Sequence, residues 1–277
     1  LFAAVLHALF GALQKGRHDP WLSRAAIDGS YAAIAAPVAL FVVPWPEPHM
    51  WLIFVGAFGI HVIYKLFQAM TYDRGAYTVV YPVVRGTAPL FAVLGAGIVF
   101  GERFTGGQWA GLAVLLSGIF GLAAYNLCNV TADRDTLVPA LLLAVATGAT
   151  VAAYTTYDAY GIRATADPFT FLAWFFFIDG LFMPVYMVSR LRRLTMAQAL
   201  PLLRRGVTGA VVAFLSFGSI MLATRLDKVG EAAVLRETST AFAGLLGWLV
   251  LGERVGRAQI ALMMLIAAGA VIVEMAG

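Results

Sequence analysis

Three cations, Lys65, Arg85 and Arg236, sit inside long apolar runs of this chain. A charge in such a place is costly to bury, so it turns to a wet cavity or to a partner. Arg85 lies eight residues into its run, about 12 Å deep if the run is a helix rising 1.5 Å per residue. Reaching the surface from there would strain the side chain. A guanidinium is a planar fork that binds carboxylate or phosphate oxygens bidentately, which makes Arg85 and Arg236 candidates for an oxyanion cradle. The alternative is that each arginine is neutralised by an internal acid, with Glu237, Asp179 and Asp158 as candidates. Both hold if the arginines pair with acid when empty and with substrate when loaded.

Other polar residues fall into stripes. His61, Lys65, Gln68 and Tyr72 recur at intervals of four, three and four, with Tyr64 beside them, and so share one helix face. That face lines either a cavity or a buried helix contact. Thr147, Thr150, Tyr154 and Tyr157 or Asp158 repeat the spacing, as do Thr78, Tyr81 and Arg85 next to Pro82 and Pro89, two residues that bend helices. His7, Gly11 and Gln14, then Trp174 and Ser216, complete the lining. The expected substrate-binding set is His7, His61, Tyr64, Lys65, Gln68, Thr78, Tyr81, Arg85, Tyr154, Trp174, Ser216, Arg236 and Glu237. Histidine is the side chain whose charge can change near neutral pH, so His7 and His61 are candidates to couple transport to protons, or serve as hydrogen-bonded bystanders. No H-E-x-x-H or G-x-S-x-G occurs and Cys128 has no catalytic context, so an enzyme is not expected. One cysteine excludes an internal disulfide and gives no metal cluster. No cofactor is expected.

The elements that carry these residues must live in lipid. Of 277 residues 61% are hydrophobic and 12% charged, and the mean hydropathy is +0.84. Soluble domains have roughly 45–50% apolar and about 25% charged residues. The net charge of +4 resides in short gaps between apolar runs, which argues against nucleic acid as a partner. The runs are Leu1–Gln14, Ala25–Val43, Trp51–Tyr72, Tyr77–Phe100 and Gln108–Tyr125, then Leu137–Tyr160, Phe169–Val188, Val207–Thr224, Ala232–Leu251 and Gln259–Met275. All but the first approach the ~20 residues that cross a ~30 Å hydrocarbon layer as a helix, the form that satisfies its own backbone. Turn-rich gaps such as Pro44–Pro48 separate them, and the longest, Ser189–Arg205, has room for a surface helix. No cleavable signal precedes the first run; Leu1 already lies inside it, so a short N-terminal piece is expected before it.

Self-similarity orders the runs. Val83–Gly118 recurs 151 residues later as Val234–Gly269, with 13 of 36 positions identical, among them Arg85 with Arg236 and Gly101-Glu102-Arg103 with Gly252-Glu253-Arg254. Such a period marks a repeated unit. Two units, 1–130 and 131–277, give ten crossings, five per unit. The odd number inverts the second unit, placing a substrate site near the midplane between halves. Twelve lysines and arginines, Arg24 among them, fall in the gaps after odd-numbered runs, against Arg103, Arg163, Arg225 and Lys228 on the other side. By the excess of cytoplasmic cations, both termini are expected outside.

The strings LFAVLGAGIVFGER and AFAGLLGWLVLGER resemble the end of the fourth helix in the EamA-type unit of the drug/metabolite transporter superfamily, and two tandem units cover the chain. The resemblance implies an all-α integral membrane protein of ten transmembrane helices, two inverted five-helix repeats around a central cavity. It implies a secondary carrier of small metabolites in the bacterial inner membrane, similar to exporters of amino acids, including aromatic ones. Phe10 stands where the family often places Trp, and Thr240 where the first copy has Pro89, so the substrate itself does not carry over. Amino-acid export by alternating access is the first expectation: arginines for the carboxylate, Glu237 or Asp179 for the ammonium, aromatics for the side chain. A carrier of phosphorylated or other anionic metabolites is the alternative, and a multidrug exporter a further one, although the first helix lacks the carboxylate a cationic drug needs. The expected partners are a small-molecule substrate and the lipid bilayer. The small residues Gly107, Gly111, Gly118 and Gly121, then Ala261, Ala268 and Gly269, suit close helix packing between the units or in a homodimer, with a monomer sufficient for transport. Glu102 and Glu253, at helix ends, are expected to hold Arg103 and Arg254 or loop amides. Pro82, Pro89 and Gly95-Ala96-Gly97 are expected to supply flexibility.

Overall fold

The computed structural model describes residues 2–14, 19–75, 77–128, 134–242 and 256–277. Leu1, Lys15, Arg17, residues 243–251 of the expected ninth run, Glu253, Arg254 and the unit boundary at 130/131 lie outside them, as do the side chains of Gly11, Gln14 and Thr78. Among the described residues the elements are all helices: α1 (Phe2–Gln14), α2 (Pro20–Phe41), α3 (Met50–Arg74), α4 (Tyr77–Phe100), α5 (Gly106–Cys128), α6 (Arg134–Ala164), α7 (Pro168–Asp179), α8 (Phe182–Tyr186), α9 (Val188–Leu191), α10 (Met196–Leu226), α11 (Val229–Arg236) and α12 (Arg257–Met275). Among the described residues seven segments are long and apolar enough to cross a membrane: Met50–Arg74, Val80–Phe100, Gly106–Tyr125, Leu137–Ala164, Pro168–Tyr186, Met196–Leu226 and Arg257–Met275. Large apolar side chains such as Leu52, Ile98, Leu142 and Met264 point outward. An exterior of that kind is stable only against hydrocarbon.

Local chemistry explains where the helices differ from the apolar runs. The second helix starts at Pro20 rather than Ala25, because Asp19 accepts the amides of Trp21 and Leu22 and Pro20 presets the first turn. Arg24 therefore belongs to α2 and not to a loop. The surface helix expected in the long gap shrinks to the four residues of α9, while Thr195 and Gln198 form a capping box that starts α10 at Met196. Pro82 and Pro89 sit inside an unbroken α4. The breaks come elsewhere. The seventh run stops at Asp179, turns at Gly180 and resumes as α8. The ninth ends its regular helix at Arg236, and the next amides bond three residues back, Glu237 to Val234 (3.0 Å) and Thr240 to Glu237 (3.0 Å). Thr238 also donates its hydroxyl to the Leu235 carbonyl at 2.7 Å. Hydroxyl side chains that bond the local backbone loosen the α ladder and leave a tightened turn.

Most interhelical packing crosses between the two halves of the chain. α3 and α4 pack on α6, α2 on α7 and α10, α1 on α10, and α11 on α4. α5 and α12 lie side by side and antiparallel: Gly111 meets Val273, Gly118 meets Ile266, and Gly121 meets Leu262. A Cβ at Gly269 would stand 2.4 Å from the Leu115 nitrogen and 2.7 Å from the Gly111 carbonyl oxygen, so only glycine lets these backbones touch. The small-residue face is thus used within the chain, and Ala261 and Ala268 lie on its exposed side. Gly269→Leu should cost at least ~1–3 kcal/mol through overpacking, read as a lower melting temperature of the detergent-solubilised protein. Unchanged melting would show that α5 and α12 do not meet as described.

Candidate functional site

Two clusters of charge lie in the apolar interior. In the first, α2 presents Arg24, Asp28 and Tyr31 on one face and α3 presents His61, Tyr64, Lys65 and Gln68 opposite. Lys65 is 1% exposed and Asp28 fully buried. The Lys65 ammonium lies 2.7 Å from Asp28 Oδ2 and 2.9 Å from Asp179 Oδ1. It also donates to the backbone carbonyl of Asp179 at 2.7 Å and to the Tyr31 hydroxyl at 3.2 Å. That carbonyl is free because α7 ends there, where the helix dipole favours a cation. Gly180 makes the approach possible: a Cβ there would fall 2.6 Å from the Asp28 carbonyl oxygen. Tyr31 donates its hydroxyl to Asp179. Arg24 Nε lies 2.8 Å from Asp28 Oδ1, and its Nη1 donates to Gln68 Oε1 at 3.3 Å. Gln68 in turn donates to the Tyr64 hydroxyl at 2.7 Å. His61 stands between two acids, its Nε2 at 2.9 Å from Asp158 Oδ2 and its Nδ1 at 3.6 Å from Asp179 Oδ1.

The second cluster gathers where α11 breaks. Arg85 Nη1 lies 3.5 Å from Glu237 Oε1, and Arg236 Nε lies 3.3 Å from the same oxygen. Arg236 also donates to the Thr155 hydroxyl at 3.3 Å. Arg85 lies 5.1 Å from the centre of the Tyr81 ring and touches His7 Nε2. Ser216 donates its hydroxyl to the Ala3 carbonyl at 3.2 Å and lies 3.3 Å from His7 Nδ1. It must therefore accept from Nδ1–H, which leaves Nε2 as a lone-pair acceptor for the Arg85 N–H and His7 neutral. Two guanidiniums then face one carboxylate. Arg236 Nη2, Glu237 Oε2 and the Ser239 and Thr240 hydroxyls are buried without a partner among the described residues.

Tyr154 lies against the first cluster, its ring 4.6 Å from His61 and 4.8 Å from Tyr64. A narrow cleft opens beside Tyr31, Tyr64, Phe175 and Phe217. Its polar wall is Arg24, His61 and Asp179. Phe217 packs edge-on against His7 at 5.3 Å, so one aromatic separates the cleft from the second cluster.

The sequence-derived set is thus divided. His61, Tyr64, Lys65, Gln68 and Tyr154 meet in or beside the first cluster; His7, Tyr81, Arg85, Arg236, Glu237 and Ser216 meet in the second. Thr78 belongs to α4, with its side chain outside the described residues. Trp174 is elsewhere, 5.0 Å from Trp45 and 5.1 Å from Trp51. Arg24 was missed because the second run was begun at Ala25, while Asp28 and Tyr31 lie inside that run and were passed over, although the spacing of four and three that joins all three is itself a helix-face signal. Glu102 accepts the amides of Val229 (2.9 Å) and Gly230 (3.0 Å) and lies 3.5 Å from Arg163. It caps the start of α11 from the end of α4, so the amides it takes belong to a helix and the cation beside it is Arg163, where Arg103 or loop amides were expected.

The model of the EamA-like transporter family matches residues 1–124 and 138–275. The chain belongs to the EamA-like transporter family. EamA proteins are part of the drug/metabolite transporter superfamily, which makes this chain a multi-pass membrane transporter. No curated protein matches it. A solved structure, titled only as the crystal structure of a protein, superposes with a TM-score of 0.76 at 21% identity, covering 100% of this EamA chain and 97% of its own. At that identity the likeness shows the fold alone.

The Lys65 pairs generate a stability prediction for this EamA protein. Lys65→Met strands two buried carboxylates and should destabilise by about 3–5 kcal/mol, whereas the same change in an Asp179→Asn background should cost clearly less. Additive losses in thermal melts would show that the pair is not formed.

Proposed function

We propose that the chain is a secondary transporter of amino acids, working as an exporter by alternating access in a bacterial inner membrane. Its ten spans are two inverted five-helix units, 1–130 and 131–277. Three observations support that architecture. α5 and α12 run antiparallel. The packing of α1 and α2 on α10 has its counterpart in that of α6 and α7 on α3. The helices take in Arg24, Arg74, Arg134, Arg190, Arg204, Arg205 and Arg257 from one side of the Lys and Arg bias and Arg163 and Arg225 from the other, and the bias keeps its sign, which supports termini on the extracytoplasmic side.

One observation carries the substrate reading. Opposite charge surpluses stand on the two sides of an aromatic-walled cleft: Arg85 and Arg236 outnumber Glu237 on one side, and Asp28, Asp158 and Asp179 outnumber Arg24 and Lys65 on the other. A zwitterion carries the matching pair. Its carboxylate suits the unpartnered Arg236 Nη2, its ammonium suits Asp179, and its side chain suits the rings. The proposed binding set keeps His61, Tyr64 and Tyr154 beside the cleft, with Lys65 and Gln68 holding the acids and tyrosine in place. A phosphorylated or other anionic metabolite would use the arginines but meet the acidic wall, and a cationic drug would meet the reverse.

Thermal-shift screening of the purified protein should show stabilisation by amino acids, since a ligand selective for the native state raises stability by mass action. Sugar phosphates and quaternary amines serve as the competing panels, and a response to either in place of amino acids would move the reading to that class. Arg85→Ala and Arg236→Ala should each abolish amino-acid counterflow in proteoliposomes while leaving monodisperse protein. Wild-type rates in both would remove the arginine cradle.

A further inference from the structure

The first cluster does not balance its charge. Three carboxylates, Asp28, Asp158 and Asp179, face two permanent cations, Arg24 and Lys65. Arg24 and Lys65 share Asp28 and Asp179 between them. Asp158 has His61 as its ion-pair partner among the described residues, and its second oxygen, Oδ1, is buried with no partner there. A net negative charge in an apolar interior is expensive.

We propose that His61 is the proton-binding site of this carrier, and that the proton and the ammonium of an amino-acid substrate exclude one another there; the second half rests on the amino-acid reading above. Both ring nitrogens face carboxylate oxygens, Asp158 at 2.9 Å and Asp179 at 3.6 Å. A neutral imidazole has one donor and one acceptor, so it would turn a lone pair toward one of those acids; an imidazolium donates to Asp158 and holds its other N–H toward Asp179 at ion-pair distance. One proton also cancels the surplus charge. The groups around the ring come from every packed element: Arg24, Asp28 and Tyr31 on α2, Tyr64 and Lys65 on α3, Tyr154 and Asp158 on α6, and Asp179 on α7. Phe175 closes the remaining side at 5.0 Å.

His61 and Asp179 both border the cleft. An ammonium that settles against Asp179 brings the same missing positive charge. With the imidazolium still in place, the cluster would then hold one buried cation too many. The proton therefore leaves as the substrate arrives, one for one, and returns as the substrate departs. That is antiport by competition for a single unit of charge, with no bond made or broken except at the imidazole nitrogen.

The test has two arms. NMR of nitrogen-labelled histidine in the detergent-purified, substrate-free protein at neutral pH should show one doubly protonated imidazole. That signal should vanish in His61→Gln and turn neutral in Asp158→Asn, with size-exclusion profiles confirming folded variants. A singly protonated His61 in the wild type overturns the inference whether or not any amino acid is carried. In proteoliposomes loaded with a pH dye, an amino-acid gradient should drive protons the other way, and Asp158→Asn should lose protons moved per amino acid. Wild-type counterflow without proton movement, or an unchanged ratio in the variant, also overturns it. A doubly protonated His61 without counterflow of any amino acid would instead sink the substrate reading and leave the proton site standing.

Discussion

The structure depends on a lysine kept in an apolar interior. Lys65 can be there only because Asp28 and Asp179 both reach it and the end of α7 offers a carbonyl as well. Each of those conditions shapes the backbone. α7 must stop at Asp179 so that its last carbonyl is free, and Gly180 must be small so that the stop can lie against α2. α2 must carry two charges and a tyrosine into the apolar layer. Three helices from both halves of the chain are therefore tied at one ammonium group.

The second cluster follows the same logic with the sign reversed. Arg85 and Arg236 converge on one oxygen of Glu237, a geometry that a continuous ninth helix would not supply, since Arg236 and Glu237 are sequence neighbours. The tightened turn at 237–240 brings the glutamate back over its neighbour and leaves hydroxyls and a guanidinium nitrogen unused. Unused donors in a dry interior are a standing attraction for an oxyanion.

Apart from the Asp28 pairs and Arg236 with its neighbour Glu237, the buried ion pairs among the described residues reach across the chain: Lys65 and His61 to Asp179 and Asp158, Arg85 to Glu237. Glu102 does the same at the helix end by capping α11. In an EamA transporter this makes the seam between the halves polar where the outside is apolar. A charged solute can compete for contacts that hold such a seam, which apolar packing would not allow. Trp45, Trp51 and Trp174, by contrast, form a ring cluster away from the ion pairs, in keeping with the anchoring that indole rings give near a membrane surface.

Hydropathy along the chain was enough to mark the seven spans found among the described residues, because lipid leaves a spanning segment no other way to satisfy its backbone. Depth in an apolar run was enough to single out Lys65, Arg85 and Arg236, because a charge there must have a reason. Which acid answers which base was not legible: Asp179 is 114 positions from Lys65 and Glu237 is 152 from Arg85, and no local pattern encodes such distances. Nor were the breaks at Gly180 and Glu237: Pro184, four residues beyond Gly180, denies that carbonyl a helical donor, but no proline stands beside Glu237, and the two prolines of α4 leave their helix unbroken. Both breaks are set by what the freed groups bond to in three dimensions. The sequence by itself decided the solvent, the helices and the presence of buried charge; only the packing of one half on the other decided how that charge is paired and where a surplus remains.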